Sequence, residues 1–147
     1  MTIVVEEENI RRLLIRGTNW VGDSVMVIPA LREIREVFPT TKITALVLPW
    51  VSDIYKISPW VDDVLIYDRD GQHAGIAGRL RLVRTIAKRK FDAALLLQNA
   101  FEAALLARLA RIPIRAGYKR DGRGWLLTHG VPVDQSITKL HQIFYYW

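Results

Sequence analysis

The chain of 147 residues contains no cysteine. This absence removes thiolate nucleophiles, iron–sulfur clusters and cysteine-ligated zinc, and it fits a reducing compartment. Histidine is scarce as well. His73, His129 and His141 stand far apart without metal-ligand spacing, so packing or surface roles, and no metal, are expected. No G-x-S-x-G run is present to act as a serine-hydrolase elbow. No stretch approaches the roughly 20 apolar residues that span a bilayer. The opening Met1-Thr-Ile-Val-Val-Glu-Glu-Glu8 is acidic where a secretory signal is basic, and these features together point to a cytoplasmic chain.

Acidic residues thin out along the sequence. Residues 1–73 carry 8 basic and 11 acidic side chains, whereas residues 74–147 carry 13 and 4, giving +6 overall. The second half should therefore hold the anion-facing surface. Charge alone leaves phosphates, an anionic membrane and nucleic acid open, but no nucleic-acid motif accompanies it and none is expected as a partner. With 50% hydrophobic and 24% charged residues, the length suits one core.

Apolar runs alternate with helix-length amphipathic segments, the pattern of an α/β fold with a parallel sheet flanked by helices. Strands are expected at 11–16, 42–48, 63–67, 91–97 and 113–116. Val27, Leu31, Ile34 and Phe38 recur at helical spacing and form a first buried stripe. Pro29 interrupts that segment, so the helix either begins near Pro29 or begins near Asp23 and kinks. Ile76, Leu80, Val83 and Ala87 predict a second core-facing stripe, and Phe101, Leu105 and Leu109 a third. Between Pro49 and Pro59 there is room for a short helix only. The glycine-rich 116–124 segment reads as a long loop. The expected organisation is an extension over 1–10, a Rossmann-like domain over 11–138, and a helix beginning at 139 that stops in mid-pattern at Trp147, as in a truncated domain.

Between the first strand and first helix lies Arg16-Gly-Thr-Asn-Trp-Val-Gly-Asp-Ser24. Open parallel sheets bind ligands at such carboxyl ends. Gly17 and Gly22 have the G-x-x-x-x-G spacing of a phosphate loop, but Asp23-Ser24 stands where that loop needs lysine and a hydroxyl residue. A carboxylate there repels a triphosphate. Asp23 has two readings: an N-cap that accepts backbone N–H bonds, or a general base that takes a proton from an attacking hydroxyl. Trp20 likewise reads as a sugar platform or as packing on the sheet edge. Asp68-Arg-Asp70 spells D-x-D, yet it follows a strand and precedes Gly71, so a polar turn accounts for it. Asp62-Asp63 is read in the same way.

The run from Arg16 to Met26, with Ile28-Pro-Ala-Leu31, Phe38-Pro39, Leu97-Gln-Asn99, Arg115-Ala-Gly-Tyr118 and Trp125-Leu-Leu127, resembles the amino-terminal part of ADP-heptose:lipopolysaccharide heptosyltransferases. Within them it is most similar to those that add the second heptose of the inner core. The resemblance implies the amino-terminal, acceptor-binding half of a two-domain GT-B glycosyltransferase, with the donor-binding domain absent from this sequence. It also implies an inverting, metal-independent transfer without a cofactor, ADP-heptose as donor, and an inner-core acceptor of Kdo and heptose on lipid A. Asp23 matches the family's catalytic base, and on its own this chain is expected to be inactive. Asn19, Trp20, Gly22, Ser24 and Asn99 are expected to bind acceptor, with Lys119, Arg120 and Arg123 of the basic loop meeting its anions. The run 79–90, with six cations and no acid, is a solvated helix face or a guide toward the anionic inner membrane, which would make the enzyme peripheral. A non-catalytic Rossmann module that binds anions or carbohydrate is the alternative from outside enzymology.

Overall fold

The structure, a computed structural model, describes residues 10–97, 101–119 and 126–132, with 118, 119 and 129–132 described by backbone alone. In chain order the elements are β1 (Arg12–Arg16), α1 (Val21–Val37), β2 (Lys42–Val47), a 3-10 turn (Pro49–Val51), α2 (Ser52–Lys56), β3 (Asp63–Ile66), α3 (Gly75–Lys88), β4 (Ala93–Leu96), α4 (Phe101–Leu109), β5 (Ile114–Lys119) and β6 (His129–Pro132). The six strands form one sheet in the order β3-β2-β1-β4-β5-β6, and every pairing is parallel. The order reverses between β2 and β4, on either side of β1. An open sheet of this kind leaves a crevice at the carboxyl ends of its central strands.

Near-continuous apolar strands are what a sheet covered on both faces requires. Leu13, Leu14 and Ile15 of β1 and Ile43, Ala45, Leu46 and Val47 of β2 are buried, as are Ala93, Ala94 and Leu96 of β4. Ile10 joins this core. The first predicted stripe holds. Val27 and Leu31 are buried, with Ile34 and Phe38 packed against the same cluster. Of the two expected helix starts, the one near Asp23 is found: α1 begins at Val21 and runs through Pro29. Proline removes the bond to the Val25 carbonyl, but Val25 and Pro29 are both exposed, so water can satisfy that group.

The other two stripes are corrected. α3 buries Gly78, Leu82, Val83 and Ile86, while Ile76, Leu80 and Ala87 face outward. α4 buries Ala103, Ala104, Leu106 and Ala107, leaving Phe101 and Leu109 exposed. Small residues decide the orientation. A Cβ on Gly78 would lie 2.2 Å from the His73 backbone carbonyl carbon, so α3 approaches too closely there for any side chain. Following only the large apolar residues therefore picks the outer face.

β6 was not among the expected strands. Pro132 weakens the strand pattern, but among the described residues β6 is the edge strand of the sheet, where a missing N–H is tolerated. Arg115 secures the approach to it, donating from Nε to the Leu126 carbonyl at 2.6 Å and from Nη1 to the Ile112 carbonyl at 2.7 Å. Burial, with Arg108 nearby, lowers its pKa from the usual arginine value.

Candidate active site at the carboxyl edge

The β1–α1 loop is fixed from below. The Gly17 N–H reaches the Leu46 carbonyl at 3.0 Å, extending the β1–β2 ladder by one step. A Cβ on Gly17 would stand 2.7 Å from the Tyr55 ring and from Val47, so this position requires glycine. The buried Arg16 guanidinium folds back, donating from Nη1 to the Gly17 carbonyl at 2.7 Å and from Nη2 to Asn19 Oδ1 at 2.9 Å. It also lies 5.8 Å from the centre of the Tyr67 ring. Desolvation brings its pKa down to about 10, which leaves it charged at neutral pH. The Thr18 N–H donates to the Tyr55 hydroxyl at 3.2 Å, and Thr18 Oγ1 lies 2.9 Å from Ser24 Oγ.

Ser24 is thereby corrected. It is fully buried and its hydroxyl is engaged with Thr18, so it braces the loop and does not reach an acceptor. Asn19 is shared: its Oδ1 meets Arg16, and its carbonyl accepts from Trp50 Nε1 at 2.6 Å. Trp20 is 69% exposed, so its ring is not packed on the sheet edge. It also occupies the N-cap of α1, which puts Asp23 inside the first turn and removes the N-cap reading of that carboxylate. Among the described residues the Asp23 carboxylate makes no hydrogen bond or ion pair, and the residue is half-buried. Gly22 is open, with nothing within 4 Å of where a Cβ would stand.

Sequence reasoning missed several neighbours. Trp50, in the 3-10 turn after β2, is 47% exposed, and the Arg69 guanidinium stands 5.8 Å from its ring centre. Tyr67 follows β3 directly, and its hydroxyl donates to Glu102 Oε1 at 2.5 Å while Arg79 Nε donates to Glu102 Oε2 at 3.2 Å. Burial and the Glu102 carboxylate push the Tyr67 phenol up to about 12. His73 is buried against Tyr67, and its Nδ1 accepts the Asp68 N–H at 2.9 Å. Desolvation lowers its pKa, so the ring is neutral at neutral pH. The signal for Trp50 and Tyr67 was positional: each lies just past the end of a parallel strand.

Asp68 turns its carboxylate back into its own loop and accepts the Gln72 N–H at 3.2 Å, as a polar turn does. Asp62 and Asp63 sit at the opposite end of β3. Burial opposes the charge of Asp62, but the Ile43 N–H and Arg35 outweigh it and lower its pKa; a bond from Arg89 does the same for Asp63. Among the described residues no group of three or more histidine, aspartate or glutamate side chains could hold a metal. Lys119 ends β5, but its side chain, like Asn99, Arg120 and Arg123, lies outside the described residues, as does the helix expected from 139.

The profile of Glycosyltransferase family 9 (heptosyltransferase) matches residues 79–144. Lipopolysaccharide heptosyltransferase 2 of Salmonella typhimurium is 27% identical over 129 residues, covering 88% of this chain and 37% of that protein. Its Escherichia coli counterpart gives the same figures. The chain thus spans little more than a third of the length of these relatives. The solved structure of E. coli ADP-heptose LPS heptosyltransferase II superposes with a TM-score of 0.73 at 25% identity, over 86% of this chain and 36% of that one. An E. coli heptosyltransferase with ADP-2-deoxy-2-fluoro heptose shares the fold at TM-score 0.72 and 18% identity, over 92% of this chain and 46% of that one. In sequence and in fold together, the chain resembles the heptosyltransferases of glycosyltransferase family 9, matching one part of their length.

Proposed function

We propose that this chain is the acceptor-binding half of an inverting heptosyltransferase that moves heptose from ADP-heptose to the inner core of lipopolysaccharide. The observation that carries the reading is Asp23. It is a carboxylate without an internal partner among the described residues, one turn from an exposed Trp20, at the carboxyl edge of a sheet shared with heptosyltransferase II. Asp23 takes the proton of the acceptor hydroxyl as that oxygen bonds to the anomeric carbon. The anomeric C–O bond to the diphosphate breaks on the opposite side, and its electron pair leaves with ADP. Holding acceptor and donor across a cleft supplies much of the acceleration, and the base adds about 10²- to 10⁴-fold.

Trp20 and Trp50 offer aromatic faces to the acceptor sugar, with Asn19 and Gly22 shaping the loop between them. Asn99 is proposed to contact the acceptor as well. Lys119, Arg120 and Arg123 meet the acceptor's acidic groups. The donor is held by a second domain, no cofactor or metal takes part, and the work is done at the cytoplasmic side of the inner membrane. The test is a transfer assay on the protein as its native cell produces it, given ADP-heptose and a Kdo-heptose acceptor. Heptosylated acceptor and ADP are expected in equal amounts. Absence of both products with an acceptor that binds would contradict the reading.

A further inference from the structure

The amino edge of the sheet, opposite the edge that carries Asp23, also holds a cavity. Arg12, Lys42 and Asp63 are the first residues of β1, β2 and β3, and Thr44 stands two places beyond Lys42. The register pairs Arg12 with Lys42 and Thr44 with Asp63, so all four side chains share one face of the sheet. Just past α3, Lys90 takes a left-handed φ of +52°, which ends the helix and turns the chain toward β4. Arg89 and Phe91 flank that turn, and with the four strand residues they line a cavity of about 280 Å³.

Hydrogen bonding in this lining is one-sided. Asp63 is its carboxylate, and each oxygen already accepts a bond, Oδ1 from the Val64 N–H at 2.9 Å and Oδ2 from Arg89 Nη1 at 2.8 Å. The Arg89 carbonyl accepts from Arg12 Nη1 at 2.7 Å. Donors remain. Beyond those two bonds, Arg12 and Arg89 keep further guanidinium N–H groups. Among the described residues, Lys42 is exposed and makes no side-chain hydrogen bond or ion pair. Thr44 is only 1% exposed, yet its hydroxyl has no hydrogen-bond partner among the described residues. The acids just outside the lining are engaged. Asp62 Oδ2 accepts from the Ile43 N–H and from Arg35, and Asp92 Oδ2 accepts from the backbone N–H groups of Arg11 and Arg12. Lys42 lies within the field of both Asp62 and Asp63 without pairing with either.

A buried hydroxyl without a partner, set beside three cations and one carboxylate, calls for a ligand that accepts hydrogen bonds and carries negative charge. A phosphate group does both, with oxygens that can meet an ammonium, a hydroxyl and guanidinium N–H groups together. A divalent cation would find one carboxylate against three positive charges, and an apolar ligand would strand the donors. We infer that the amino-edge cavity is a binding site for a phosphate group. It stands apart from the transfer reading, because the five-residue β1 separates it from the carboxyl edge by roughly 15 Å.

Isothermal titration of the 147-residue chain with inorganic phosphate at neutral pH tests it, with chloride at equal ionic strength as the control. Saturable binding to one site, with a dissociation constant on the order of 1 mM or below, is expected. Lys42→Ala and Thr44→Val should each weaken it roughly tenfold, whereas Thr44→Ser should retain it. In phosphate-free buffer Lys42→Ala should melt like wild type, since Lys42 is exposed; this variant decides the matter where a change at buried Thr44 disturbs folding. Ribose 5-phosphate as a second probe separates the sources. Tighter binding than inorganic phosphate assigns the site to a phosphomonoester, weaker binding to the free ion, and either keeps it. No saturation at millimolar phosphate overturns the inference. Affinity unchanged by Lys42→Ala overturns it as well, because the phosphate then binds elsewhere on the chain.

Discussion

Gly17 shows how much one residue decides at the sheet edge. Its missing side chain lets the Tyr55 ring slide under the β1–α1 loop, where the phenol holds the Thr18 N–H. Gly17→Ala should cost about 1–3 kcal/mol by overpacking a buried ring, read as a lower midpoint in urea with an unchanged slope. An unaltered midpoint would mean that Tyr55 yields freely. His73 makes a pH-dependent contribution. Its pKa is depressed in the fold, so between that value and the ordinary one near 6.5 the unfolded chain binds more protons. Stability from this residue is complete above pH 6.5 and declines as pH falls below it. His73→Gln should flatten that decline in a series of melting curves; an identical slope in the variant would contradict the assignment. Asp23 and Trp20 stood out in the sequence because both lie in a distinctive loop. Arg16, Tyr67 and Glu102 were not, because their network joins three separate strand and helix ends.

At the scale of elements, β1, β2 and β3 were legible to within a residue, since burial on both faces leaves a nearly unbroken apolar run, whereas β5 runs three residues beyond its expected end and β6 was missed. Helix orientation was not legible. Ile76 and Leu80 have the spacing of a core stripe, yet α3 packs through Gly78, Leu82, Val83 and Ile86. The deciding contact is a close approach to the His73 backbone, which no hydrophobic period encodes. Between elements, Arg35 links α1 to the β2 and β3 starts, donating to the carbonyls of Phe38, Thr41 and Trp60 and to Asp62 at 2.7 Å. Removing it leaves several partly buried acceptors unsatisfied. Arg35→Ala should therefore destabilise the chain by about 1–3 kcal/mol, whereas an exposed pair such as Arg32–Glu36 should contribute less than about 1 kcal/mol. Equal effects of Arg35→Ala and Arg32→Ala in thermal melts would contradict this ranking.

Across the whole molecule, chemistry and charge are divided between the two ends of the sheet. The carboxyl edge gathers Asp23, Trp20, Trp50 and Tyr67, and the amino edge carries Arg12, Lys42 and Arg89 around Asp63 and Thr44. Among the described residues no helix is long and apolar enough to cross a membrane. The charge asymmetry was readable from composition, but the amino-edge grouping was not, because it joins three strand starts to a helix end.

The role of Asp23 is the claim on which the functional account turns. The most direct measurement compares transfer by the wild-type protein with transfer by Asp23→Ala, with acceptor affinity and melting temperature followed in parallel. The account predicts a turnover loss of about 10²- to 10⁴-fold with acceptor affinity and melting nearly unchanged. Turnover within a few fold of wild type would contradict it, and a collapse of melting temperature would show instead that Asp23 serves the fold.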